Sequence, residues 1–346
     1  MNVAIRAADL ESDRRSIIDT LSRFLTPLSD DRRFRWLYEN NPHGEACAWV
    51  AYGADDDTVV GIAAAFPRRI YMNGEEKLSW VLGDFCVDPQ YRSLGPALQL
   101  QRACLVAAEA AGLAFCYDFP SKSMMAVYKR LGVAGSYHMM RLAKPLRTER
   151  KVRQFVKLPL AARGLTSIGN LALSFGRYDG ESDDGLTIAS HEGKCGKEFT
   201  ALAGRASGQQ GISMMHSAEY LNWRYLENPL CKYELLTVRR EETLLGCAVF
   251  LQEPEDAILV DLFGVMEETA LNALIAQSVR LMAARGVQTV SATVFETHPW
   301  RRLLEQQGFR TREVSPLVIY APSGAGSRNG VVKTPNVFFM YGDRDS

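Results

Sequence analysis

The chain has 346 residues, 40 basic against 40 acidic side chains, and 47% apolar residues. At about 150 residues per domain this is a two-domain length with apolar material for two cores, which excludes a largely disordered chain. Zero net charge excludes bulk attraction to nucleic acid or an anionic membrane, so neither is an expected partner.

The segment Met1–Thr20 is polar throughout and does not read as a signal peptide, and no run approaches the ~18 apolar residues of a membrane span. Helical material comes first. Strands are expected near Ala46–Tyr52, Val59–Phe66 and Leu78–Val87, then a helix over Pro96–Ala111, a strand at Ala114–Phe119, a helix at Ser123–Arg130 and a strand near Tyr137–Leu142. This is a mixed α/β unit with antiparallel strands first and a βαβ crossover later. A basic stretch, Arg141–Lys157, reads as a solvated helix face or a dock for an anionic partner, and an acidic loop, Asp179–Asp184, follows it. Further strands are expected near Tyr233–Val238, Gly246–Gln252 and Ala257–Gly264, then a helix over Thr269–Arg285, a strand at Thr289–Val294 and a helix over Trp300–Gln307. Strands near Pro316–Tyr320 and Val337–Tyr341 close the chain, flanking a Gly/Ser-rich loop at Ser323–Gly330.

The second series echoes the first. Trp36-x-Tyr38-x-x-Asn41-Pro42 has its counterpart in Trp223-x-Tyr225-x-x-Asn228-Pro229. The glycine-bearing strands around Gly61 and Gly246, the strand aspartates Asp84 and Asp261, the helix-ending Gly112 and Gly286, and Gly132 and Gly308 recur in the same order. An offset that starts at 187 residues and shrinks slowly is what loop insertions in two copies of one domain produce. The expected domains are 1–146, a basic linker 147–184, and 185–346. The seven cysteines (Cys47, Cys86, Cys104, Cys116, Cys195, Cys231, Cys247) include no CxxC pair and no HExxH accompanies them. They read as buried thiols of a reducing, cytoplasmic protein without a metal site.

The segment with most chemical content is Gly83-Asp84-Phe85-Cys86-Val87 followed by Arg92-Ser93-Leu94-Gly95-Pro96-Ala97. A strand ends, and a loop opens a helix. The helix start directs free N–H groups and partial positive charge at whatever precedes it, Gly95 lets a phosphate approach backbone, Arg92 adds bidentate donors, and Pro96 fits the first helical turn. This loop resembles the Arg/Gln-x-x-Gly-x-Gly/Ala pyrophosphate loop of the GNAT acyl-CoA N-acyltransferase superfamily. Ser123-x-x-Ala126-x-Tyr128-x-x-Leu131-Gly132-Val133 is similar to that family's downstream motif, with Ser123 where asparagine is common. Through the repeat, the whole chain looks like a tandem form of two GNAT-like domains, each a mixed, mostly antiparallel sheet flanked by helices. Two departures stand out: Pro96 removes one donor from the cradle, and the second copy has Val265-Met266-Glu267-Glu268 in its place and Leu304 where Tyr128 stands. The expectation is that only the first copy binds cofactor.

The resemblance implies an acetyl-CoA (or other acyl-CoA) dependent N-acetyltransferase acting by direct transfer on a small-molecule primary amine, as a monomer or homodimer. It implies backbone contacts from Phe85, Cys86 and Val87 to the pantetheine arm, and Tyr128 as the acid toward the CoA sulfur. Asp84, beside an apolar run that would desolvate it, is the leading base candidate, although Asp261 at the matching place also fits a structural role. Asp118 could hold a cationic substrate or serve as base. Trp36 and Tyr38 are core aromatics or line the acceptor site. Cys86 is a buried residue before it is a nucleophile, and the five histidines show no ligand spacing. Alternatives are an aminoacyl- or acyl-carrier-dependent transferase of the same fold, or a CoA-binding sensor without turnover.

Overall fold

The computed structural model describes residues 3–53, 58–91, 94–133, 136–147, 185–207, 211–322 and 336–344. Arg92 and Ser93, most of the basic stretch after Arg147, the acidic loop and the Ser323–Gly330 loop lie outside the described residues.

The N-terminal half runs β1 (Val3–Ala7), α1 (Arg14–Phe24), α2 (Asp31–Phe34), a π-helical turn (Arg35–Glu39), β2 (Cys47–Gly53), β3 (Val59–Met72), β4 (Glu75–Val87), α3 (Leu94–Ala110), β5 (Phe115–Asp118), α4 (Lys122–Arg130) and β6 (Ser136–Pro145). The C-terminal half runs β7 (Leu186–Ser190), α5 (Lys197–Ser207), β8 (Ile212–Met214), α6 (Ala218–Leu221), a second π-helical turn (Asn222–Leu226), β9 (Tyr233–Arg240), β10 (Thr243–Gln252) and β11 (Asp256–Gly264). It ends with α7 (Glu268–Ala284), β12 (Thr289–Phe295), α8 (Arg301–Gln306) and β13 (Arg310–Tyr320). The expected strand at Val337–Tyr341 does not form. That segment makes single bridges at Val337 and Met340 and then a 3-10 turn, because the Asp343 carboxylate accepts the Met340 N–H that a strand partner would take.

All strands but β8 form one continuous path, β1-β2-β3-β4-β5-β13-β6-β12-β11-β10-β9-β7. From either edge the order is the same: three antiparallel pairings, one parallel pairing, then a strand delivered by the other half. β6 pairs with β12, β13 pairs with β5, and β6 and β13 pair antiparallel at the centre. The segment 1–146 thus sends its last strand into the other half's sheet and receives β13 in return. The cores follow the exchange: Leu142 and Leu146 sit in the C-terminal core, while Phe295, Leu317 and Ile319 sit in the N-terminal one.

Repeated residues do matching work. A Cβ on Gly61 would meet Leu100 of α3 at 3.1 Å, and one on Gly246 would meet Leu271 of α7 at 3.3 Å, so each glycine lets a helix lie close on its sheet. The Trp36 and Trp223 rings stack at 5.2 Å, and each indole N–H donates to the other tryptophan's carbonyl at 2.8 Å. Lys144, from the basic stretch, is buried and donates to the Gln307 carbonyl at the end of α8. No described helix is long and apolar enough to cross a membrane.

Candidate active site

The parallel register of β4 and β5 runs from Ser79↔Phe115 to Val81↔Tyr117, and β4 then continues beside β3 as far as Val87. Where β3 advances from Ile62 to Ala64, β4 advances from Gly83 to Cys86, one residue more. This bulge places Asp84 at φ +45°, a left-handed conformation that non-glycine residues adopt only when held. The two strands open into a V whose β4 side is Leu82–Val87. Cys86 and Val87 are buried, while Phe85 is half-buried and packs on both apolar clusters of the α3/α4 face.

Asp84 is what holds the bulge. Both its oxygens accept from the Arg33 guanidinium at 2.7 Å, and the Tyr38 hydroxyl donates to Oδ2 at 2.8 Å. The ion pair is almost wholly inside, with side chains 3% and 1% exposed. Both carboxylate oxygens are thus engaged inside the protein, which fits the structural role that the matching Asp261 suggests. Burial first, then the Asp84 charge, pushes the Tyr38 phenol well above its usual value, so it stays a donor. The sequence singled out Asp84 and Tyr38 but not Arg33, whose only cue is its place before the Trp36 motif. Trp36 stands apart from this node, against Trp223, on a groove of about 600 Å³ whose lining includes Arg32, Arg35 and Lys194.

On the other sheet face, the Tyr128 hydroxyl donates to Asp118 Oδ2 at 2.7 Å and accepts from Gln101 Nε2 at 3.1 Å. Gln101 belongs to α3, whose first turn carries Leu94, Gly95 and Pro96, so the same helix both offers its N-terminus and orients Tyr128. Asp118, at the end of β5, is half-buried, whereas Tyr128 is 1% exposed. Burial, and then the Asp118 charge, raises the Tyr128 phenol well above its usual value. Gly95 is exposed and Ala97 half-buried at the start of α3. Ser123 is exposed in the first turn of α4, its hydroxyl 2.8 Å from that of Ser121, the residue that caps the helix.

The C-terminal half has the same V with different contents. β11 and β12 pair in parallel only from Asp256↔Thr289 to Leu259↔Ala292. The Tyr225 hydroxyl donates to Asp261 at 2.6 Å, repeating Tyr38 and Asp84, but the cation is His216, whose Nε2 lies 2.8 Å from Asp261. Burial alone would lower the His216 pKa, but the charge and hydrogen bond of Asp261 outweigh it and raise it. Glu267 and Glu268, at the start of α7, are paired with Arg240 and Arg302. Leu304 is fully buried in the core where Tyr128 stands in the first half. The segment Phe338–Met340 lies in this V. Met340 bridges Val294, and the Phe295 N–H donates to the Phe339 carbonyl at 2.9 Å, which leaves a cavity of about 20 Å³ between His216, Phe263, Trp300 and Phe338. That is room for one water.

Residues 5–135 match the family model of the acetyltransferase (GNAT) domain. Among solved structures, a probable N-acyltransferase of Enterococcus faecalis, titled as a conserved protein of unknown function, superposes with a TM-score of 0.66 at 12% identity, covering 93% of this chain and 73% of that one. A GCN5-related N-acetyltransferase from Anabaena variabilis superposes with a TM-score of 0.65 at 13% identity, covering 92% and 73%. One from Kribbella flavida superposes with a TM-score of 0.58 at 17% identity, covering 92% and 71%. At these identities the likeness is one of fold. No curated protein matches the sequence.

Proposed function

With residues 5–135 a GNAT domain, we propose that the chain is an acyl-CoA-dependent N-acyltransferase, acetyl-CoA being the favoured donor, that acylates a primary amine of a small molecule in the V between β4 and β5. Two GNAT-like halves then share one sheet, and only the first is active. The observation that carries this reading is the Tyr128–Asp118 pair beside the β4 edge, steadied by Gln101 of α3, the helix that begins at Leu94.

The residues present fit the donor. The N-terminal turn of α3 with Arg92 and Gly95 would hold its pyrophosphate, and the open edge of Phe85, Cys86 and Val87 would take its amide-bearing arm. Bound there, an acyl-CoA supplies an activated acyl thioester and a thiolate leaving group. Tyr128 holds a proton on Oη that its raised pKa keeps in place until a strong base is near. Asp118 Oδ2, already 2.7 Å from that oxygen, is placed to take a proton and return it to Tyr128. Gln101 donates to the same oxygen and steadies negative charge on it. Asp84 positions the bulge, and through it the β4 edge, by its bond to Arg33.

The test is release of free CoA thiol from acetyl-CoA over a panel of amines. Turnover that is lost in Tyr128→Phe while CoA binding persists supports the enzyme. CoA binding with no turnover on any amine replaces it with a sensor.

A further inference from the structure

The C-terminal segment leaves the second V and ends against the first. Its last three described carbonyls are each held by a side chain: Gly342 O accepts from Arg224 Nε at 3.0 Å, Asp343 O from the Tyr117 hydroxyl at 3.0 Å, and Arg344 O from Arg224 Nη2 at 2.8 Å. Tyr117 lies on β5, so the grip spans both halves. The Arg344 guanidinium is thereby delivered over two rings, Phe119 and Tyr341, each with its centroid 5.5 Å from Cζ. Phe119 directly follows Asp118, the partner of Tyr128, at the end of β5 where the V opens. It also packs edge-on against Tyr117, on the sheet face opposite Tyr128.

Among the described residues this fixed cation has no anion against it. Among the described residues, no carboxylate, carbonyl or hydroxyl accepts from the Arg344 guanidinium, and the side chain is half-buried rather than waving in solvent. Aromatic faces hold a guanidinium in place and leave its in-plane N–H fork unused. That fork matches the oxygens of a carboxylate or phosphate.

We propose that Arg344 is a specificity-determining residue of the acceptor site, and that the acceptor is a primary amine that also carries an anionic oxyacid group. The proposal rests on the acyltransferase reading above. The C–N bond forms at the amine, the C–S bond of the thioester breaks, and the amine's proton ends on the thiol. Arg344 takes no part in those steps. It holds the acceptor's anionic end on the face opposite the donor, so that the amine points into the V.

The test uses the full chain with acetyl-CoA and four short amines: β-alanine, 2-aminoethyl phosphate, 3-aminopropanol and 1,3-diaminopropane. The expected result is a kcat/KM for β-alanine or the phosphate at least roughly tenfold above that for 3-aminopropanol, a ratio that collapses in Arg344→Ala and is partly restored in Arg344→Lys. The two anionic arms decide between carboxylate and phosphate. A preference for the diamine, or a ratio unmoved by Arg344→Ala, overturns the proposal while leaving the acyltransferase standing. If no amine releases CoA, the acyltransferase reading falls, and Arg344 is then judged by thermal shift. Stabilisation by β-alanine beyond that by 3-aminopropanol, lost in Arg344→Ala, supports the anion site, and equal shifts overturn it.

Discussion

The two halves put an aspartate at the same place and neutralise it differently. Asp84 has Arg33, a cation that never titrates in water, while Asp261 has His216, whose charge depends on pH. The same division runs through the two clefts. The first keeps Tyr128 beside the β4 edge. The second has Leu304 in place of Tyr128, pairs its helix-start glutamates with Arg240 and Arg302, and takes in the segment Phe338–Met340. The same scaffold therefore holds two different sets of residues at its V, because the sheet and helices are held elsewhere.

The sharpest way to break the comparison is Tyr128→Phe. It should lower kcat by about 10²–10⁴ while the dissociation constant for CoA stays within about twofold, measured by thiol release and by calorimetry. Next comes Arg33→Met, which takes the guanidinium away from buried Asp84. Urea unfolding should show a loss of about 3–5 kcal/mol, and a loss under 1 kcal/mol would mean the bulge is held by something else. Arg92→Glu should weaken CoA binding by roughly a hundredfold, whereas Glu267→Ala should leave it within about twofold. The opposite pattern would move the cofactor site to the second half.

The smallest effect is on pH dependence. Burial and then the Asp261 charge push the Asp343 carboxyl up to about 7, with His216 and Arg224 acting the other way. Folding therefore favours its protonated form. The stability it contributes is present below its unfolded value and is lost as pH rises from about 4 to about 7. His216 is also raised, so its contribution is complete below about 6.5 and disappears as pH climbs through its folded value. Buried His43 and His298, both held down to about 3 by burial, act in the opposite sense below about pH 6.5, so the melting temperature should fall between about pH 6.5 and pH 8. Asp343→Asn should flatten that fall, and an unchanged slope in this variant would remove Asp343 from the explanation.

Much of this was legible from the chain alone. The order of strands and helices, the repeated Trp-x-Tyr turn, the paired aspartates and the loop before α3 are local patterns. Side-chain period, capping and glycine placement write them into contiguous residues. The candidate Tyr128 came with its own short motif, and Asp118 with the strand before it.

Other features depended on residues far apart in sequence. Arg33 meets Asp84 across 51 residues, His216 meets Asp261 across 45, and Tyr117 meets Asp343 across 226. Nothing in the surrounding sequence of either partner encodes the other. The exchange of β6 and β13 is equally hidden, since a strand's alternation states that one face is buried but not which neighbour buries it. Val337–Tyr341 has the composition of a strand. Only the assembled V, with the β12 edge on one side and Asp343 folding back to Met340, decided that it would enter as a bridged segment and carry Arg344 to the first site. By itself the sequence determined two similar series of elements and the residues by which they differ. The tertiary structure decided that they form one sheet, because each half's edge strand finds its hydrogen-bond partner in the other.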